Sequence, residues 1–289
     1  MKTKRIAAVC TALLFVGQTA FAWGSLGHAT VAEVAQKHLT PKAAKAIDKY
    51  LNGMKLASIA SDADKYRPYW VVDLGFVPTN PDFARVPFLK DQSLPLNFAP
   101  WSHSITVDKD MHPYPTDNLD GAYINNDCYY VKMLSEKLKK EAETMDPSER
   151  MKSIALIVHF LGDMHCPVHI VYTHADMAKG HFEVTYKGRK MKYHAFWDDT
   201  IFSGLPYGFQ ELAYLVDNKS RREIKTICEG DVYDWGSDSA VKSWEAYERV
   251  HPGKDIIPDT FPSDVRPLLY SQLRNAGYRL AELLNEIFG

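Results

Sequence analysis

A single, mainly helical domain carrying one small β-hairpin is the fold that the 289-residue sequence predicts. Three observations lead there. Apolar residues recur at helical spacing through most of the chain, those runs open on residues that cap helices, and convincing alternation flanks one turn only. No repeat, low-complexity block or linker divides the chain.

The elements follow in order. "MKTKR" brings three positive charges, "IAAVCTALLFVG" an apolar run, and "AFA" small residues at the offsets of a leader cleavage site. We therefore expect residues 1–22 to be a signal peptide cut after Ala22, leaving residues 23–289 as one secreted or periplasmic domain. The apolar run falls short of the ~20 residues that span a membrane. "HATVAEVAQKHL" is the first helical run. "TPKAAKAIDKYLNG" is the second, with Thr40 as N-cap, Pro41 at the first helical position and Gly53 as terminator. Asp73 to Pro100 reads as irregular, proline-rich chain, and Asp117 to Lys140 as one long amphipathic helix. "DPSERMKSIALIVHFLGDMH" opens on Asp146 and Pro147 and turns almost wholly apolar, as a central buried helix does. "HFEVTYKGRKMKYHAF" alternates on both sides of Lys187-Gly188-Arg189, which predicts the hairpin, and "LLYSQLRNAGYRLAELLNEIF" closes the chain as a helix.

The formal charge is −2, and the leader holds three Lys/Arg and no acid, so −5 remains after cleavage. Side chains alone would not draw such a chain to nucleic acid, although bound cations would reverse the argument. Three cysteines follow the leader: Cys128, Cys166 and Cys228. An odd number in an oxidising compartment predicts one bridge and one spare thiol. Cys128–Cys228 is the expected pair, since Cys166 lies in a stretch with another role.

That stretch is "HFLGDMHCPVH". His159 and Asp163 are four apart, on one face of a helix, and Pro167 ends the helix so that His169 can turn back. A histidine and a carboxylate inside an apolar run are costly to bury unless they are paired or hold a metal. His194 and Asp198 repeat the spacing after the hairpin, and His103, Asp62, Asp64 and His28 are further candidates. Together they suit a multi-zinc site of nitrogen and oxygen ligands.

Trp-Gly-x-x-Gly-His from Trp23, Ala-Asp-x-x-Arg from Ala63, Trp-x-His at His103, His-x-x-x-Asp-x-x-x-x-x-His from His159 and His-x-x-x-Asp from His194 occur in the order found in the single-strand-specific zinc nucleases. Over essentially the whole mature chain the sequence resembles that family, the S-one/P-one nucleases. The resemblance implies a mainly helical fold of the zinc phospholipase C / S-one/P-one nuclease type, holding three zinc ions. By the same resemblance Asp64, His103, His159 and Asp163 hold the first zinc, and His169, His194 and Asp198 the second. His28, Asp163 and the α-amino nitrogen and carbonyl oxygen of Trp23 hold the third. Asp64 is preferred to Asp62 because it stands three residues before Arg67, itself a phosphate contact or a partner of Asp64.

The implied activity is hydrolysis of single-stranded DNA or RNA to 5′-phosphate products, with removal of phosphate from 3′-nucleotides, by a hydroxide shared between zincs. Asp64, Asp163 and Arg67 are the expected catalytic residues. No membrane span and no protein partner are expected. Two features depart from the family pattern. Asp62 precedes Ala63 where an aromatic is common, and Lys179-Gly180-His181 and Lys192-Tyr193 replace residues that help recognise the base. Lys187, Arg189, Lys190 and Lys192 read first as a solvated hairpin face. Two rivals remain: a zinc phospholipase C, disfavoured by the short Trp23-to-His28 gap and by Asp198 where those enzymes use glutamate, and a zinc-stapled module without turnover.

Overall fold

A computed structural model of the chain describes residues 23–66, 103–119, 122–123, 126–173 and 182–289. At its centre lies the helix Pro147–Asp163, in which every residue from Ser153 to Asp163 is buried. Asp146 caps it, its carboxylate accepting from the Ser148 and Glu149 N–H groups, and Pro147 occupies the first turn, where a missing N–H costs nothing. Large apolar side chains such as Ile154, Leu156, Ile157 and Phe160 contribute roughly 1.5–3 kcal/mol each when fully buried. That burial fixes how the helix is rotated, and so where its one histidine and its terminal aspartate point.

Around it pack the N-terminal helix Gly24–Lys37, the helix Pro41–Tyr50, the helix Asp127–Glu141 and the C-terminal helix Arg266–Phe288. The Thr40 hydroxyl accepts from the Ala43 N–H, as its position before Pro41 predicts. Val34 of the N-terminal helix lies directly against Gly277 of the C-terminal one. The fold is mainly helical, in agreement with the sequence.

Three local expectations need correction or extension. The helix expected over 117–140 starts at Asp127. Asn126 is its cap, accepting from the Tyr129 N–H while its amide donates to the carbonyls of Thr116 and Tyr114. Residues Asn118–Leu119 and Ala122–Tyr123 form a two-residue antiparallel ladder instead. The hairpin is present, Glu183–Tyr186 against Arg189–Lys192, turning through Lys187 and Gly188, both at positive φ. It gains a third, parallel strand, Ile256–Ile257, and a separate parallel pair joins Ile105–Val107 to Ile170–Tyr172. Those strands are too short to show alternation in sequence.

The expected Cys128–Cys228 bridge is absent: Cys128, Cys166 and Cys228 are all free, buried thiols. Cys128 Sγ faces Gly236, whereas Cys228 caps the helix Arg221–Ile227 near Glu282 and Arg279, so the two face different surroundings. The proline-rich segment Asp73 to Pro100 lies outside the described residues. No helix among the described residues is long and apolar enough to cross a membrane.

Candidate metal centre

The site gathers at the C-terminal end of the central helix. His159 and Asp163 come from that helix, His28 from the N-terminal helix, and Asp64 from the short helix Asp62–Tyr66. His103 and His169 are brought together by the parallel strand pair. Ile105 is in register with Ile170, which brings Ser104 level with His169, and the His169 Nδ1–H donates to the carbonyl of His103, one residue further back. The hairpin delivers His194 and Asp198 on the helix Tyr193–Asp198 that follows it directly.

Asp163 is the hub. Its Oδ1 is 3.2 Å from His28 Nε2, and its Oδ2 is 3.2 Å from His159 Nε2, 3.1 Å from His103 Nδ1 and 4.0 Å from His169 Nδ1. Asp64 Oδ1 lies 3.4 Å from His103 and 3.5 Å from His159. The His28 and His159 rings stack, their centroids 4.2 Å apart. His194 Nδ1 is 2.7 Å from Asp198 Oδ2. Two imidazole nitrogens, on His159 and His103, approach to 3.0 Å.

Electrostatics within this cluster are strong. Burial opposes ionisation of Asp163, yet the imidazoles of His159, His169 and His28 hold its carboxyl well below the usual carboxylate range. Burial likewise disfavours a charged His159, but Asp163 and Asp64 carry it well above its ordinary value. Burial drives His169 well down, and burial with the nearby Asp199, Asp163 and Asp64 pushes Asp198 well up.

The donor set fits metal ions. Both ring nitrogens of His28, Asp163 Oδ1, Asp64 Oδ2, His169 Nε2 and Asp198 Oδ1 are buried without a hydrogen bond among the described residues. Buried polar atoms are rarely left so unless something else binds them. The His159 Nδ1–H donates to the Ala60 carbonyl at 2.9 Å, which turns the other nitrogen into the cluster. Metal-binding imidazoles are commonly oriented this way. Among the described residues, three groupings have ligand atoms within 4.8 Å of one another: His28, His159 and Asp163; Asp64, His103 and His159; and Cys166, His169 and Asp198.

Most residues singled out in the sequence thus converge, and Asp64 rather than Asp62 faces the cluster. Trp23 is fully buried, and its side chain does more than fill space. The indole Nε1–H donates to the Gly162 carbonyl at 2.8 Å, and the ring meets Trp197 and Phe202. Its carbonyl accepts from the Gly27 N–H at 3.1 Å. Arg67 lies outside the described residues. Tyr193 is core, packed on Phe182 and Trp197.

Sequence reasoning missed three contributors. Cys166 is one. Gly162 is the second: a Cβ there would stand 2.8 Å from His28 Nδ1, so only glycine lets the His28 ring lie against the helix. Gly162→Ala is expected to displace His28, reduce bound metal and cost about 1–3 kcal/mol of stability. Metal analysis and thermal unfolding of the variant check this.

The third is His165, wholly buried, whose Nδ1–H donates to the Leu161 carbonyl and whose Nε2 accepts from Arg279 at 2.8 Å. Arg279 also donates to Asp238 and to the Ile227 carbonyl, tying the turn after Asp163 to the C-terminal helix. Burial, then the guanidinium, holds His165 down to about 3. Its folded value lies below the ordinary one, so unfolding takes up a proton as pH falls below ~6.5, and stability declines from there towards pH 3. The slope approaches 1.36 kcal/mol per pH unit. Denaturant titrations from pH 7 to 4 should show that decline, and His165→Gln should flatten it.

Comparison with known proteins places this geometry. The family profile described as S1/P1 Nuclease matches residues 23–289. The chain belongs to the S1/P1 nuclease family. Relatives include Endonuclease 2 of Arabidopsis thaliana, 27% identical with 96% of this chain and 94% of the relative covered. Nuclease S1 of Aspergillus oryzae is 26% identical, with 98% of each covered, and Nuclease P1 of Penicillium citrinum 25% identical, covering 92% and 98%. Membership of the S1/P1 nucleases makes the protein a hydrolase of phosphodiester bonds, with nucleic acid as its substrate class. The buried cluster around Asp163 is the candidate place for that chemistry.

Proposed function

We propose that the mature protein is a secreted zinc-dependent nuclease acting on single-stranded DNA and RNA, with a 3′-nucleotidase activity, and that residues 23–289 form its single domain. The observation that carries the zinc-site reading is the set of buried ligand atoms that face one another around Asp163 with no hydrogen bond among the described residues. Asp64, His103, His159 and Asp163 would hold one zinc, His169, His194 and Asp198 a second, and His28, Asp163 and the Trp23 main chain a third. Zinc bound there supplies positive charge and the acidity that activates water and steadies a departing 3′-oxygen.

The chain's own residues set the conditions for that chemistry. Asp163, ionised among imidazoles, gives the cluster its central negative charge, and His159 belongs to two of the groupings. Ala60 and the His103 carbonyl fix the ring orientation of His159 and His169, so that the site is formed before substrate arrives. Three divalent ions would change the mature charge from −5 to about +1, concentrated at the cluster, which removes the electrostatic objection to a polyanionic substrate. Single strands fit because their unstacked bases can be splayed out beside the cleaved phosphate. Arg67 is assigned to the phosphate or to Asp64. Cleavage after Ala22 is supported by the family match starting at residue 23.

The test is a substrate panel. The zinc-loaded mature protein should hydrolyse single-stranded DNA, RNA and 3′-AMP and leave lecithin intact. Preferential attack on lecithin would favour the phospholipase reading, and stoichiometric metal without turnover the structural one.

A further inference from the structure

Resting on the zinc-centre reading above, we infer that Cys166 is a metal ligand, so that the site at His169 and Asp198 contains a thiolate as well as nitrogen and oxygen donors. Cys166 Sγ, one ring nitrogen of His169 and one carboxylate oxygen of Asp198 lie within 4.8 Å of one another. All three residues are buried, and His169 Nε2 and Asp198 Oδ1 make no hydrogen bond among the described residues. The second oxygen of Asp198 is engaged by His194 Nδ1 at 2.7 Å. His194 meets the grouping through that bond and against the His169 ring, their centroids 4.6 Å apart, and the sulfur stands among the grouping's ligand atoms.

Burial, then the carboxylate of Asp198, pushes the free thiol well up, so the case for the sulfur as a ligand rests on its position among the other ligand atoms. The backbone N–H of Val168 donates a hydrogen bond to it. Such a bond favours the charged form of an acceptor. The Cys-Pro-Val-His turn fixes Cys166 just before the three-residue 3₁₀ turn that ends at His169, so both donors are presented by one rigid segment. Ligand atoms around a tetrahedral zinc with one sulfur lie about 3.5 Å apart, within the spacing found here. Binding replaces the S–H bond by an S–metal bond, and the proton leaves to solvent.

Cobalt exchange tests the assignment. The mature protein is stripped of metal, reloaded with Co²⁺, and its bound cobalt counted. The expected result is an intense near-ultraviolet thiolate-to-cobalt charge-transfer band, kept in Cys128→Ser and Cys228→Ser and lost in Cys166→Ser. One equivalent of metal should also bind at least about ten-fold more weakly in Cys166→Ser. Zinc-edge X-ray absorption of the wild-type protein needs no variant and should show a sulfur neighbour at about 2.3 Å. Cobalt bound without the band, a band that survives Cys166→Ser, or zinc bound without sulfur overturns the Cys166 assignment and leaves the nitrogen and oxygen centre standing. Failure to bind either metal overturns both.

Discussion

Asp163→Ala should reduce kcat/KM on single-stranded DNA by about 10³-fold or more, while the protein remains folded. The carboxylate lies within 4.0 Å of four histidines, and its burial is complete. Removing it leaves His28, His103 and His159 with less charge to gather around, so metal held between them is lost or displaced. A metal's stabilisation of charge in the reaction is worth several kcal/mol, which is the source of the figure. Losing the hub also removes the larger of the two carboxylate attractions that raise His159, so that ring should titrate lower in the variant, with Asp64 still beside it. Steady-state kinetics together with metal analysis checks the result. Undiminished hydrolysis by a zinc-depleted variant would refute the role assigned to Asp163.

The second large effect concerns residue 23. A protein that retains residues ahead of Trp23 should bind less metal than the mature form, and its activity should fall by ten-fold at least. An amide nitrogen has its lone pair delocalised into the carbonyl and is a poor ligand, whereas a free α-amine with a reference pKa of ~7.7–8.0 is readily deprotonated by a metal. The indole Nε1–H, donating to the carbonyl of Gly162, anchors Trp23 against the residue that precedes Asp163. Metal content and hydrolysis of the mature protein and of one extended by a short N-terminal segment decide the matter. Equal metal and equal activity would show that the Trp23 nitrogen has no such part.

Much of this arrangement was readable in the sequence because its chemistry is local. His159 and Asp163 share a helix face by spacing alone, and Asp146-Pro147 announces the start of that helix. The hairpin was legible from alternation, and its product, the His194–Asp198 pair, from the same four-residue interval. What was not legible depends on contacts distant along the chain. The parallel pairing that sets His103 beside His169 involves two three-residue strands separated by more than sixty positions. Three residues carry no periodicity. The helix expected from Asp117 starts ten residues later because Asn126 takes the capping position and binds the chain before it. Residues that support the site were invisible for a similar reason: Gly162 and Ala60 contribute through a missing side chain and a carbonyl. The disulfide expectation failed because counting cysteines says nothing of which way each faces.

The central claim is that zinc at the Asp163 cluster makes the chain a nuclease. The most direct measurement is a zinc titration of the chelator-stripped mature protein, following hydrolysis of single-stranded DNA and the release of 5′-phosphate ends. The account predicts no hydrolysis without metal and a rise in rate with added zinc that levels off near three equivalents per chain. Hydrolysis at full rate in the metal-free protein, or zinc bound to saturation with no cleavage, would contradict it.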